Sequence, residues 1–122
     1  MGPNPDKTMG TETEIQAAIR TLSRGNIRLF RNSSGLCECR GFPIHYGIPG
    51  KGGADLLGWT TVRIGPEHIG RAIAVFTSIE VKKPKEGPRE NQEKWLTAVT
   101  VAGGIAGIAH SKYEAEQIIS GF

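Results

Sequence analysis

The run "RAIAVFTSIEVK", residues 71–82, constrains the fold most, because it is long, rich in β-branched residues, and charged at its end. Such a run predicts a central strand of a sheet. Residues two apart on a strand share a face, so Glu80 and Lys82 project together while Ile79 and Val81 point into the opposite packing layer. Burying two charges without a purpose is costly. The strand therefore predicts a functional site at its charged end.

Shorter elements with clear boundaries precede this strand. A helix is expected over residues 11–24, where apolar residues recur at helical spacing and Thr11 with Glu14 forms a capping-box pattern. The segments "NIRLFRN" and "ADLLGWTTV" are predicted to be strands. The glycine-rich segment 35–53 between them is predicted to be a loop.

Two helices and a strand are expected after the central strand. Pro88 fits the start of a helix that ends before Gly103, and "IAGIA" is a short apolar strand. Ser111 with Glu114 forms a second capping-box pattern at the start of the last helix. The predicted order is α-β-β-β-α-β-α, which implies an α/β fold with a mixed central β-sheet flanked by helices.

The size of the chain limits it to one hydrophobic core. With 122 residues, we expect a single domain over residues 11–122. Residues 1–10 contain two prolines and two glycines and are expected to form a flexible tail. No long apolar window and no signal-peptide pattern is present, which predicts a cytoplasmic protein with no membrane segment. The net charge of +3 admits an anionic partner.

The two cysteines do not favour a disulfide. Cys37 and Cys39 are one residue apart, a spacing at which an intrachain bond would be strained. A zinc site made with His45 and His68 would lack the two separated ligand pairs that are usual in such sites. A zinc-stabilised interaction domain is therefore a minor alternative.

A third charged residue, Asp55, suggests which chemistry the end of the central strand could perform. Asp55 begins an apolar strand after a glycine-rich turn, and if that strand neighbours the central one, Asp55 and Glu80 converge beside Lys82. Two carboxylates can hold Mg²⁺ or Mn²⁺, and a nearby lysine can orient or deprotonate a water and offset charge in a phosphoryl transition state. The simpler alternatives are an exposed ion pair for Glu80 and Lys82 and a turn-forming role for Asp55.

These residues carry a resemblance to a known family. "GGAD" with "IEVK" resembles the D…(D/E)xK signature of the PD-(D/E)xK nuclease superfamily. The resemblance to its VRR-NUC branch, the virus-type replication-repair nucleases, is closer and extends through "FRNSSG", "GIPGKGGADLLGW", "IEVKKPK", "ENQEKWL" and "GGIAGIAHS". One departure is Ala54, which stands where the superfamily name has proline.

The resemblance implies a restriction-endonuclease-like core and a Mg²⁺- or Mn²⁺-dependent deoxyribonuclease. By the family pattern, Asp55 and Glu80 bind the metal, the backbone carbonyl of Val81 adds a ligand, and Lys82 assists the attacking water. The same pattern implies that Glu14 contacts the metal through water and that Gln92 belongs to the site. Capping of the first helix explains Glu14 equally well.

Basic residues near the proposed site suit a polyanion, although such residues are often simply solvated. The candidates for DNA contact are Arg31, Lys51, Lys83, Lys85 and Arg89. The segment "GIPGKGG" lacks the Ser or Thr that follows the lysine of a phosphate-binding loop, so no nucleotide cofactor is expected. Trp59 and Trp95 are expected to pack in the core, and no role is assigned to His110.

The resemblance to stand-alone phage-type members also implies a substrate and an assembly. We expect an endonuclease that prefers branched DNA such as Holliday junctions, acts in phage replication, recombination or repair, and forms a homodimer. The alternatives are a monomeric flap or nicking nuclease, and a nuclease-fold DNA-binding module without catalysis.

Overall fold

The computed structural model describes residues 10–49 and 52–122. Contacts divide the chain into two compact units, Met1–Thr60 and Thr61–Phe122, and each is described by itself. Of the predicted tail over residues 1–10, the described residues include Gly10 alone. The helices are α1 (Glu12–Arg20), α2 (Glu90–Val101) and α3 (Lys112–Ser120). The strands are β1 (Ile27–Arg31), β2 (Gly35–Cys39), β3 (Phe42–Tyr46), β4 (Leu56–Thr60), β5 (Thr77–Val81) and β6 (Ile105–Ala109), with a short 3-10 turn at Pro66–His68.

In the first unit, α1 begins where the capping pattern predicts. The hydroxyl of Thr11 accepts a hydrogen bond from the backbone N–H of Glu14 at 3.1 Å. The helix ends at Arg20, four residues before the predicted end. Beyond Arg20, the N–H groups of Thr21, Leu22 and Ser23 donate to the carbonyls three residues earlier in the chain instead of four. The last turn is therefore tighter than an α-helix, and the α-helix ends there.

Strands β1 and β4 form an antiparallel ladder in which Ile27 pairs with Thr60 and Arg31 with Leu56. Ile27 and Leu29 are half-buried while Arg28 between them is exposed, which is the alternation of a half-buried strand, so the predicted strand is confirmed. The rings of Phe30 and Trp59 lie 5.5 Å apart across the ladder. Trp59 is half-buried, as expected for a packing residue.

The prediction of a loop over residues 35–53 was wrong, because this segment contains the antiparallel hairpin β2–β3. Its connection is Arg40-Gly41, and both residues have positive φ, at 52° and 82°. Two positive φ values are what the tightest two-residue hairpin turn requires. The predicted order of elements is therefore also wrong, since four strands instead of two precede β5.

In the second unit, β5, α2 and β6 form a parallel crossover. Val81 pairs with Ala109 at the carboxyl ends of the two strands. Val99 of α2 and Ala109 are 1% and 2% exposed and mark the centre of this core. The indole N–H of Trp95 donates to the hydroxyl of Ser78 at 2.7 Å, and its ring meets that of Phe76 edge-on, so Trp95 is a packing residue.

Helix α3 packs against β6, and one glycine allows their close approach. A Cβ on Gly107 would collide with the side chain of Ile118. The hydroxyl of Ser111 accepts the backbone N–H of Glu114 at 3.2 Å, as the capping pattern predicts. The last strand and last helix therefore follow the prediction closely.

The predicted mixed sheet is replaced, among the described residues, by three two-stranded ladders, two antiparallel and one parallel. The fold is mixed α/β. The expected long central strand is regular only over Thr77–Val81, and Ile73 and Val81 are 54% and 75% exposed, so Val81 does not point into a packed layer. Across the described part of the chain, every helix is too short or too polar to traverse a lipid bilayer.

Candidate active site

The charged end of β5 brings together three of the residues that the sequence singles out. The side-chain amide of Gln92 donates to Oε1 of Glu80 at 2.9 Å. The ammonium of Lys82 lies 3.8 Å from the same oxygen. The side chain of Lys82 is 13% exposed and that of Glu80 is 33% exposed, so both charges are partly removed from water.

The strand and the helix each explain how these groups meet. Glu80 and Lys82 share a face because the N–H of Lys82 donates to the carbonyl of Ala109 at 3.0 Å, which continues the ladder one residue past β5. Gln92 is the third residue of α2, and its Oε1 accepts the N–H of Arg89 at 2.8 Å. This is one half of a capping box. It fixes the amide so that the NH₂ group faces Glu80.

The donor atoms at this strand end suit a hard divalent cation. Both contacts to Glu80 use Oε1, so within the second unit Oε2 is the oxygen available to a ligand. A carboxylate with the nearby backbone carbonyl of Val81 offers oxygen ligands only, which Mg²⁺ and Mn²⁺ prefer. Within residues 10–49 and 52–122, no three His, Cys, Asp or Glu side chains gather into a group that could hold a metal ion.

Asp55 is exposed and immediately precedes β4 in the first unit. Its carbonyl accepts the N–H of Asn32 at 2.8 Å. The side chain of Asn32 donates to the carbonyls of Ile48 and Ala54 at 2.6 and 2.9 Å and accepts the N–H of Ile48 at 3.0 Å. Asn32 therefore fixes the backbone that delivers Asp55, a role that the sequence analysis missed.

The convergence of Asp55 with Glu80 stays a prediction, because the two residues belong to different units. Glu14 also lies in the first unit, and its carboxylate accepts the N–H of Gly10 at 3.4 Å. That contact belongs to the start of α1. Contact of Glu14 with a metal through water is likewise still a prediction.

The predicted DNA contacts fall in three places. Arg31 is exposed at the end of β1. Lys83, Lys85 and Arg89 are exposed in the segment between β5 and α2, directly after the charged strand end. Lys51 lies outside the described residues.

A second polar cluster, which the sequence analysis left unassigned, lies beyond the end of β6. Nδ1 of His110 is 2.9 Å from Oε2 of Glu114, and the backbone N–H of His110 donates to the same oxygen at 2.6 Å. Nε2 of His110 is 2.8 Å from the carbonyl oxygen of Glu86. One sequence signal pointed here: a histidine that directly follows an apolar strand and directly precedes a Ser-x-x-Glu cap.

These contacts favour the protonated imidazole. The bond to the Glu86 carbonyl, followed by the bond to the Glu114 carboxylate, raises the pKa of His110 above its usual value, against the opposing effect of desolvation. The N–H and ring of His110 lower the pKa of Glu114. Only the imidazolium can donate from both nitrogens at once, so the geometry fits the charged form.

The zinc alternative gains no support from the hairpin. Leu36 pairs with His45 and therefore shares a face with it, which places the neighbouring Cys37 on the opposite face. His68 belongs to the second unit, where its Nδ1 accepts the N–H of Gly65 at 3.0 Å.

Comparison with known families shows that the family model of the VRR-NUC domain matches residues 32–113. The matched range includes Asn32, Asp55, the Glu80–Lys82–Gln92 cluster and His110, whereas α1 with Glu14 precedes it. No curated protein and no solved structure matches significantly.

We predict that Asn32→Asp destabilises the first unit. The substitution keeps the acceptor for Ile48 N–H but replaces the NH₂ donor with an oxygen that faces two carbonyls. The loss should be about 1–2 kcal/mol of unfolding free energy, measured by urea denaturation. Asn91→Asp is the control, because Asn91 is exposed in the first turn of α2, where negative charge is favourable. Equal stability of the two variants would contradict the role of Asn32.

We also predict that the imidazole of His110 titrates above the ordinary histidine range and that Glu114→Gln lowers its pKa, as measured by NMR. Because the folded pKa is raised, the stabilisation by His110 is fully present below the pKa of the unfolded chain and is lost as pH rises through the folded pKa. The stability difference between wild type and Glu114→Gln should therefore shrink over that interval. Identical His110 titrations in the two proteins would refute the coupling.

Proposed function

This chain belongs to the VRR-NUC domain family and is therefore a nuclease domain, and from that premise we propose that it is a Mg²⁺- or Mn²⁺-dependent deoxyribonuclease. The observation that carries the proposal is the Glu80–Lys82–Gln92 cluster at the end of β5. A partly buried carboxylate that is oriented by an amide and accompanied by a lysine can hold a metal ion and support phosphodiester hydrolysis.

The proposed metal ligands are the carboxylates of Asp55 and Glu80 and the backbone carbonyl of Val81, with Glu14 contacting the metal through water. The bound ion would stabilise negative charge on the phosphate and lower the pKa of water. Gln92 acts through Glu80: its hydrogen bond to Oε1 holds the carboxylate in one orientation, so that Oε2 stays turned toward the ligand. Gln92 is therefore a positioning residue.

Lys82 is assigned to the chemical step. Its side chain is 13% exposed and lies on the same strand face as Glu80. From there it can orient the attacking water and offset the charge that develops on the phosphate in the transition state. An ammonium in a poorly hydrated site does this more strongly than an exposed one, because the local dielectric screening is weaker.

The exposed basic residues are assigned to substrate binding. Lys83, Lys85 and Arg89 follow the strand end directly, and exposed side chains of this kind bind DNA by neutralising phosphates. Arg31 and Lys51 are proposed to extend this contact. Lys82 is thus assigned to the chemical step, and the exposed basic residues are assigned to DNA affinity.

We further propose that the protein forms a homodimer that prefers branched DNA. One metal site attacks one phosphodiester, so action on two strands of a junction is more easily done by two sites related by a two-fold axis. The β2–β3 hairpin offers a surface for such a contact, because Phe42, Ile44 and Tyr46 alternate along one face and are 72%, 48% and 47% exposed.

We predict that cleavage needs Mg²⁺ or Mn²⁺, stops with EDTA, and is abolished by Asp55→Asn or Glu80→Gln. Each substitution keeps the shape of the side chain and removes the anionic ligand. The rate should fall by more than the ~10–100-fold that is typical of residues that only support a ligand. Glu93→Gln, at an exposed carboxylate of α2, is the matched control and should cleave normally. Cleavage by either site variant at the parental rate would overturn the assignment.

Single-turnover kinetics should distinguish the role of Lys82 from that of Lys83 and Lys85. Lys82→Met keeps the apolar stem and removes the charge, so it should lower the rate at saturating DNA with little change in affinity. Lys83→Gln with Lys85→Gln should weaken binding, and the slope of log affinity against log salt should decrease by about 0.9 for each lost phosphate contact. The opposite partition would contradict these roles.

We predict a dimer in sedimentation equilibrium and faster cleavage of a four-way junction than of linear duplex of matched sequence. Ile44→Asp should dissociate the dimer and remove the junction preference, because it places a charge in the exposed apolar face of the hairpin. Leu36→Asp is the control, since Leu36 lies on the opposite face. A monomeric wild type would refute the dimer, and equal cleavage of both DNAs would refute the preference and favour a flap or nicking nuclease.

A further inference from the structure

The turn that carries two of the exposed lysines holds one of them in an uncommon backbone conformation. The N–H of Glu86 donates to the carbonyl of Lys83 at 3.0 Å, which closes the four-residue turn Lys83–Glu86. Pro84 occupies its second position and Lys85 its third, where φ is 71°. In such a turn the third position normally requires glycine or asparagine, so a lysine there is strained.

His110 contacts this turn from another element. Its Nε2 is 2.8 Å from the carbonyl oxygen of Glu86, the last residue of the turn. The other ring nitrogen lies against Glu114, whose carboxylate also accepts the N–H of His110. Glu114 is itself fixed, because its N–H donates to the Ser111 hydroxyl. The imidazole is therefore held at both nitrogens and joins the turn to the start of α3.

The topology explains why this bridge lies near the candidate active site. Strands β5 and β6 are parallel, so their carboxyl ends meet at one edge of the ladder. Lys82 follows β5 and His110 follows β6 at that edge. The bridge from His110 to Glu86 thus spans the segment that begins with Lys82 and leads into α2.

We propose that His110, held by Glu114, is a positioning residue that fixes the Lys83–Glu86 turn so that Lys85 presents its charge to a DNA phosphate beside the Glu80–Lys82–Gln92 cluster. The inference rests on the proposed nuclease function. A glycine would relieve the backbone strain at position 85. Position 85 carries a lysine instead, in a turn that a side-chain bridge holds, and this arrangement is consistent with a role for the charge at that place.

The first test uses the protein without DNA. His110→Ala should accelerate amide hydrogen exchange of Glu86, because the turn bond from Glu86 to Lys83 loses its external support, by about tenfold or more. His68→Ala is the matched control, since the ring of His68 contacts its chain neighbours Gly65 and Glu67 in the same unit. Unchanged exchange at Glu86 in His110→Ala would overturn this inference and leave the proposed nuclease function intact.

The second test is a double-mutant cycle for DNA binding in EDTA, followed by fluorescence anisotropy. His110→Ala and Lys85→Ala should each weaken binding about three- to tenfold, and their combination should be no weaker than Lys85→Ala alone. A merely structural role of His110 would give additive losses, which would overturn the proposal. A wild-type protein that binds no DNA at all would instead refute the proposed function on which the inference rests.

A third test compares two substitutions of Lys85 to separate the effect of backbone strain from the effect of the charge. Lys85→Gly and Lys85→Ala both remove the charge, but only glycine tolerates positive φ without cost. Both variants should bind DNA equally weakly, and Lys85→Gly should have the higher thermal unfolding midpoint. Wild-type affinity of Lys85→Ala, or a lower midpoint for Lys85→Gly than for Lys85→Ala, would contradict the proposal.

Discussion

The parallel pairing of β5 with β6 determines where the polar groups of the second unit lie. With Val81 opposite Ala109, both strands end at one edge, and the connecting helix α2 starts close enough for Gln92 to reach Glu80. A register shift of one residue would turn Glu80 and Lys82 to the other face of the ladder. Val99 of α2 and Ala109 of β6 form the buried centre of this unit, and such a shift would disturb their packing.

The Glu80–Lys82–Gln92 cluster at this edge keeps two charged side chains partly removed from water. A lysine that is 13% exposed loses much of its hydration, and one carboxylate at 3.8 Å compensates only part of that loss. For stability alone, an apolar pair would serve as well. The arrangement suits the proposed nuclease, because Lys82 shares a strand face with a carboxylate that keeps one oxygen for a ligand. The residues proposed to bind DNA, Lys83 and Lys85, are exposed to water in the following turn.

Much of the site in the second unit was predictable because its geometry is local. The period of a strand places Glu80 with Lys82, and a capping pattern places Glu114, whereas Gln92 was assigned to the site through the family resemblance. The β2–β3 hairpin was missed because its turn is Arg40-Gly41 instead of the Asn-Gly or Asp-Gly that usually marks such turns, and because Pro43 lies within a strand. His110 was missed because one of its partners is a backbone carbonyl 24 residues away, which no side-chain pattern reveals. The meeting of Asp55 with Glu80 remains a prediction from family resemblance.

Metal binding at the end of β5 is the premise of the proposed nuclease site. Paramagnetic broadening by substoichiometric Mn²⁺ in an NMR spectrum of the DNA-free protein tests it most directly, because the effect depends on distance from the ion and not on turnover. We expect the amides of Glu80, Val81 and Lys82, together with that of Asp55, to broaden first, and we expect Glu80→Gln to remove the effect. Broadening centred on His110 and Glu114, or broadening that persists unchanged in Glu80→Gln, would contradict it.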